Sequence, residues 1–160
     1  LNDGTVSTVC TDHAPWTLDE KLDPTLTASD LRHGMAELET LMPVLWSEGV
    51  ATGRISVATF VEVTSTTAAR LFGLYPRKGT IAPGSDADIV IWNPNDTRTI
   101  DGSTMHSNAG YSPLVGWQVT GWHELTISRG EIIARATETG IDVMGAPGRG
   151  RLAERKRLVR

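Results

Sequence analysis

The uncharged run Thr5 to Thr11 (TVSTVCT) ends abruptly at Asp12. A short β-branched stretch without polar alternation predicts a strand buried on both faces, as in a parallel sheet. The polar stretch from His13 to about Ser29, with prolines at 15 and 24, reads as a loop. From about Asp30 to Val50, Leu31, Met35, Leu38, Leu41, Met42, Leu45 and Trp46 recur at helical spacing. Pro43 within that span predicts a kink or two shorter helices, which Gly49 and Gly53 close. Ser56 is a good N-cap for a second helical stretch to about Leu71, with Val57, Phe60, Val61, Ala68 and Leu71 facing inward. The poor helix formers Thr64, Ser65, Thr66 and Thr67 are placed to split it.

After Gly73 the pattern turns to β. Lys78 to Ala82 reads as a short strand turned by Pro83-Gly84, and Asp88 to Trp92 as a strand stopped by Asn93-Pro94. Leu125 to Ser128 and Glu131 to Ala134 flank Arg129-Gly130, which predicts a hairpin. The stretch from Gly140 begins as glycine-rich loop and ends in a short helix over 152–157. These readings divide the chain into 1–74, one strand with following helices; 75–144, a mostly β portion; and 145–160, a basic tail. A lone buried strand with two helices cannot cover its own faces, so further structure is expected on its N-terminal side.

Composition narrows the function. The 160 residues are 39% hydrophobic and 21% charged, as in soluble globular proteins, which implies one domain or a piece of something larger. Apolar runs such as Ile89 to Trp92 are far too short to span a bilayer, and no leader pattern follows Leu1, so no membrane association is expected. The single cysteine, Cys10, excludes an internal disulfide and agrees with a reducing cytoplasm; inside the expected strand it reads as a small core residue. Net charge is −4, yet residues 1–144 hold 9 Lys+Arg against 18 Asp+Glu and residues 145–160 hold 6 against 1. The acidic body and the lack of aromatics in the tail argue against a nucleic-acid partner, and the tail suits an arm on a neighbouring subunit.

The chemistry concentrates at Thr11-Asp12-His13-Ala14-Pro15, at the C-terminal end of the first expected strand. In (β/α)8 barrels catalytic groups occupy such strand ends, and an aspartate there can ligate a metal and accept a proton from metal-bound water. An aspartate that caps the next segment or pairs with a base fits the pentapeptide equally well.

A second set of motifs separates these readings. Gly53-Arg54-Ile55-Ser56, then Thr64 to Leu74 (TSTTAARLFGL), then Arg77 to Val90 (RKGTIAPGSDADIV) resembles the amidohydrolase superfamily. Ser47-Glu48-Gly49-Val50 before them is similar to hydantoinases and dihydropyrimidinases. The resemblance runs from about Val6 to Arg151. It implies an α/β plus β fold: the C-terminal end of a metal-dependent (β/α)8 barrel, namely its last strand and helices, followed by the C-terminal part of a flanking β-sandwich.

The resemblance further implies a hydrolase of C–N bonds in cyclic amides of the hydantoin or dihydropyrimidine type, with a binuclear zinc centre, and a homo-oligomer, expected as a tetramer. Asp12 then ligates the more buried metal, serves as base on the bridging hydroxide and passes the proton to the leaving nitrogen. The family's other ligands are a His-x-His pair, a carboxylated lysine and two further histidines. His13, His33, His106 and His123 do not form that set. A catalytic zinc takes three protein ligands, so the 160 residues alone are expected to be an inactive fragment. His13 is expected behind Asp12 or anchoring the loop, and His106 and His123 in surface or structural roles.

His33-Gly34 falls where relatives carry the Asn-Gly whose backbone holds the cyclic diamide. A histidine at a helix N-terminus is the alternative, and Thr40-Leu41 stands where an arginine is usual. Trp16 takes the place of the histidine that closes the Asp-His-Ala-Pro-His of dihydroorotase-like enzymes, and offers a wall to an uncharged ring. The alternatives are an allantoinase, a dihydroorotase-like enzyme, or a non-catalytic dihydropyrimidinase-related assembly protein. Asp86 and Asp88 are expected to shape the turn before Ile89 through bonds to backbone.

Overall fold

The computed structural model describes residues 1–155. An irregular N-terminal stretch holds the short helix α1, Leu18–Lys21; two broken helices follow, and then a four-stranded antiparallel sheet in the order β1-β2-β3-β4. The strands are β1, Ile89–Thr99; β2, Gln118–Ser128; β3, Glu131–Ala136; and β4, Ile141–Val143.

Residues 5–11 do not form the expected strand. A strand exists only through its ladder, and among the described residues this run has a single such bond, from Val9 N–H to the Val63 carbonyl (3.1 Å). Cys10 is accordingly exposed rather than a core residue.

The helix expected from Asp30 begins only with α2, Leu41–Leu45. Leu31, Met35 and Leu38, which are 50%, 49% and 63% exposed, lie in no helix. Met35 instead pairs with His13 in a parallel bridge, and Gly34 lies at φ +89°, outside helical geometry. Pro43 is buried within the first turn of α2, where its missing N–H costs no intrahelical bond. The widening comes after it, in the π-turn Trp46–Val50, whose ring closes from Ala51 N–H to the Trp46 carbonyl (2.9 Å).

The second stretch is likewise α3, Val57–Val61; a π-turn, Glu62–Thr66; and α4, Thr67–Leu71. Ser56 caps it, its Oγ accepting from Thr59 N–H (3.0 Å). The split falls at the hydroxyl run: Thr64 Oγ1 donates to the Phe60 carbonyl (2.7 Å) and Thr66 Oγ1 to the Gly79 carbonyl (2.8 Å). Phe60 is buried as expected, but Val57, Val61 and Leu71 stand about half exposed.

Lys78 to Ala82 forms turns rather than a strand. A Cβ at Gly79 would lie 2.5 Å from Ala69 Cβ, so this backbone packs directly on α4. β1 does not stop at Asn93-Pro94 but runs on to Thr99, its register shifting between Asn93 and Thr97. β1 is an edge strand, and proline is tolerated at an edge irregularity because no ladder donor is required there. The Arg129-Gly130 hairpin forms, with φ +51° and +82°, both positive as a type I′ turn requires.

Asp88 behaves as expected but over a long range: its Oδ1 accepts from Arg129 N–H at 2.8 Å, fastening the hairpin turn. Asp86 differs, bonding the side chains of Arg77 (2.9 Å) and Lys78 (2.8 Å) rather than backbone. Residues 152–155 are not helical, and the remainder of the helix expected over 152–157 lies outside the described residues.

Helices and sheet share one core. Ile100, Val119 and Trp122 are its buried centre, with Val44 of α2 packed against them. Trp46, Phe60 and Trp92 form an aromatic cluster with ring centroids 5.3–5.9 Å apart. Gly121, at φ +98°, lets the Trp46 ring lie directly on the β2 backbone, where any Cβ would collide with it.

Candidate functional site

The first site residue sits on an unusual backbone. Asp12 has φ +50°, a left-handed conformation that aspartate tolerates better than most residues. Its carbonyl accepts from Met35 N–H (3.0 Å), and Ala14 N–H donates to the Met35 carbonyl (3.1 Å). These bonds clamp 12–14 against 34–35. His13 reinforces the clamp, its Nδ1 accepting from Leu38 N–H (3.3 Å), so it anchors the loop. The Asp12 side chain is exposed and has neither a hydrogen-bond nor an ion-pair partner among the described residues.

Gly34 completes the contact. A Cβ there would stand 2.6 Å from both Ala14 Cβ and the Asp12 carbonyl oxygen, so the approach admits only glycine. Lys21 Nζ donates to the carbonyls of Gly34 (2.6 Å) and Arg32 (2.8 Å), tying α1 to the same segment. His33 lies exposed in this loop and not at a helix N-terminus. Trp16 is half-buried, and the Arg32 guanidinium covers its ring at 4.7 Å. Asp12, Gly34 and the loop carrying His33 are therefore brought together, with Trp16 joined to them through Arg32.

Sequence reasoning missed Lys21, Arg32 and Glu37. The Glu37 carboxylate is buried and accepts from two hydroxyls. Their signals were weak, because each acts through a partner that chain position does not reveal. His106 bonds Glu39 through its backbone N–H (2.6 Å) and Nδ1 (3.1 Å), and burial lowers the pKa of His123, assisted by the positive charge of Arg98. His106 thus ties its loop to the segment before α2, and His123 lies on β2. A cavity of about 510 Å³ lined by Arg98, Asp101, Met105 and Trp122 lies in the β portion and contains none of the candidate residues.

Among the described residues no group of three or more His, Cys, Asp or Glu side chains could hold a metal ion. Asp12 thus suits one ligand position, not a complete site.

The amidohydrolase family model matches residues 1–133, most of the chain. The chain belongs to the amidohydrolase family. Enzymes of this family are in general metal-dependent. Within it, the chain is 42% identical to a D-phenylhydantoinase of Escherichia coli O1:K1 / APEC, over 99% of the chain and 34% of the relative. The dihydropyrimidinase of Brevibacillus agri superposes with a TM-score of 0.89 at 40% identity, covering 99% of this chain and 34% of that one. The L-hydantoinase (dihydropyrimidinase) of Arthrobacter aurescens gives 0.77 at 35% identity, over 89% and 31%. This amidohydrolase chain spans about a third of the length of the curated relatives it matches. No helix among its described residues is long and apolar enough to cross a membrane.

Proposed function

We propose that this chain is part of a cytoplasmic hydrolase that opens the C–N bond of a cyclic amide of the hydantoin or dihydropyrimidine type. Residues 1–74 are read as the end of a (β/α)8 barrel, in which 5–11 would become a strand only by pairing with residues outside the 160; 75–144 are read as part of a flanking β-sandwich, and 145–160 as a tail that joins subunits of a homo-oligomer. The observation that carries the reading is the Asp12 carboxylate, exposed and unpartnered among the described residues, on a left-handed turn clamped to the Gly34 loop.

Zinc, when bound, polarises the amide carbonyl and brings the pKa of water toward about 7. Asp12 is the one ligand contributed from these residues; the others are proposed to come from outside the 160. A carboxylate oxygen of Asp12 accepts the proton of the attacking water and returns it to the departing ring nitrogen. The need is chemical: an unstrained amide is a poor electrophile with a poor leaving group, and the nitrogen must leave protonated. The backbone around His33 and Gly34 is the proposed cradle for the ring's diamide, and Trp16 a wall beside it.

A screen of the zinc-loaded whole protein tests the assignment. Turnover of a hydantoin or dihydropyrimidine is expected. Hydrolysis confined to allantoin or dihydroorotate, or to no ring amide at all, would overturn it.

A further inference from the structure

Glu37 is 7% exposed, and among the described residues neither of its carboxylate oxygens is paired with a cation. Such a group is costly to bury unless its lone pairs are satisfied. Its partners are two hydroxyls: Thr40 Oγ1 donates to Oε2, and Ser112 Oγ donates to Oε1 at 3.1 Å. Thr40 precedes α2 and is 1% exposed. Ser112 is 6% exposed and belongs to the loop between β1 and β2.

That loop is firmly held. Ser112 Oγ also accepts from Leu114 N–H (3.1 Å), and a Cβ at Gly102 would strike the Ser112 backbone nitrogen. The same loop closes on core Ile100, whose N–H donates to the Trp117 carbonyl (2.8 Å) and whose carbonyl accepts from Gly116 N–H (2.9 Å). On its other side Glu37 lies two residues beyond Met35, the residue clamped to Asp12 and Ala14.

We propose that Glu37 is a positioning residue: its carboxylate fastens the Gly34–Met35 segment, and through it the Asp12 turn, to buried Ser112 in the loop between β1 and β2. The consequence for substrate rests on the hydrolase reading above, whereas the tie itself does not. Without the carboxylate, 34–35 keeps its short-range bonds to 12–14 but loses its buried anchor 75 residues away in sequence. Those bonds, no longer backed by the buried anchor, should then open more often.

Amide-resolved hydrogen exchange on the purified protein tests this without any need for activity. Glu37→Ala is expected to raise exchange at Ala14 and Met35 about tenfold or more, the scale of one lost charge-assisted bond, while amides of the β2–β3 hairpin stay unchanged. Glu37→Gln should keep most of the protection, because each hydroxyl can also accept from an amide N–H. Ser112→Ala should reproduce part of the Glu37→Ala effect, and serves if Glu37→Ala does not fold. Unchanged protection at Ala14 and Met35 in both Glu37→Ala and Ser112→Ala, or in Ser112→Ala where Glu37→Ala does not fold, would overturn the tie. A uniform rise that includes the hairpin would overturn it too, since that is general destabilisation. Where a ring amide is turned over, Glu37→Ala should raise KM more than it lowers kcat. Absence of all turnover would instead count against the hydrolase reading and leave the exchange result standing.

Discussion

Gly34 and Asp12 touch through backbone, with the Cβ that residue 34 lacks falling 2.6 Å from the Asp12 carbonyl oxygen. Gly34→Ala must therefore push the two loops apart while also placing alanine at φ +89°. Loss of about 1–3 kcal/mol is expected, read as a lower denaturant midpoint at constant m-value. An unchanged midpoint would show that the loops do not pack this closely.

A parallel argument applies at the core. Gly121→Ala drives a methyl into the Trp46 ring at φ +98°. Overpacking costs typically about 1–3 kcal/mol, and the displaced indole should report it by a shift in tryptophan emission. Gly130→Ala has positive φ but open space around it, so only the backbone penalty, about 1 kcal/mol, is expected there.

The pH dependence of stability follows from His123. Burial holds its pKa below the ordinary value of 6.5, so the unfolded chain binds this proton more readily than the folded one. Its contribution is present above about pH 6.5 and is lost as pH falls through that value toward the folded pKa. Tm should decline on acidification from pH 7.5 to 5.5, and His123→Phe should flatten the decline. A second loss is expected below about pH 4. There Asp86 and Asp88, held low chiefly by hydrogen bonds from Lys78, become protonated.

What could be read in advance depended on how local the cause was. The Arg129-Gly130 hairpin and the Ser56 cap are set by neighbours in sequence, and both form as read. The break at Thr64–Thr67 was visible in the residue types, though not its form as a π-turn. Thr5 to Thr11 is apolar enough for a strand, yet composition does not provide a ladder partner, and Cys10 is exposed in consequence. Leu31, Met35 and Leu38 keep helical spacing, but the pairing of Met35 with His13 overrides it. At the candidate site Asp12, His33 and Gly34 were legible as motif positions. The Glu37–Ser112 bond was not, because it spans 75 residues and joins ordinary residue types.

The 160 residues by themselves should show no zinc-dependent hydrolysis of hydantoin, since Asp12 is one ligand where a catalytic zinc takes three. Turnover by the purified chain, free of any longer form, would contradict this. Light scattering of the whole protein with and without residues 145–160 should show loss of association when the tail is removed.

The most direct test is the kcat for ring opening by the zinc-loaded whole protein carrying Asp12→Asn. The side chain keeps its shape but can no longer accept the water's proton, so kcat should fall by about 10²- to 10⁴-fold with circular dichroism and Tm unchanged. A kcat equal to that of the unaltered protein would remove Asp12 from the chemistry and contradict the account.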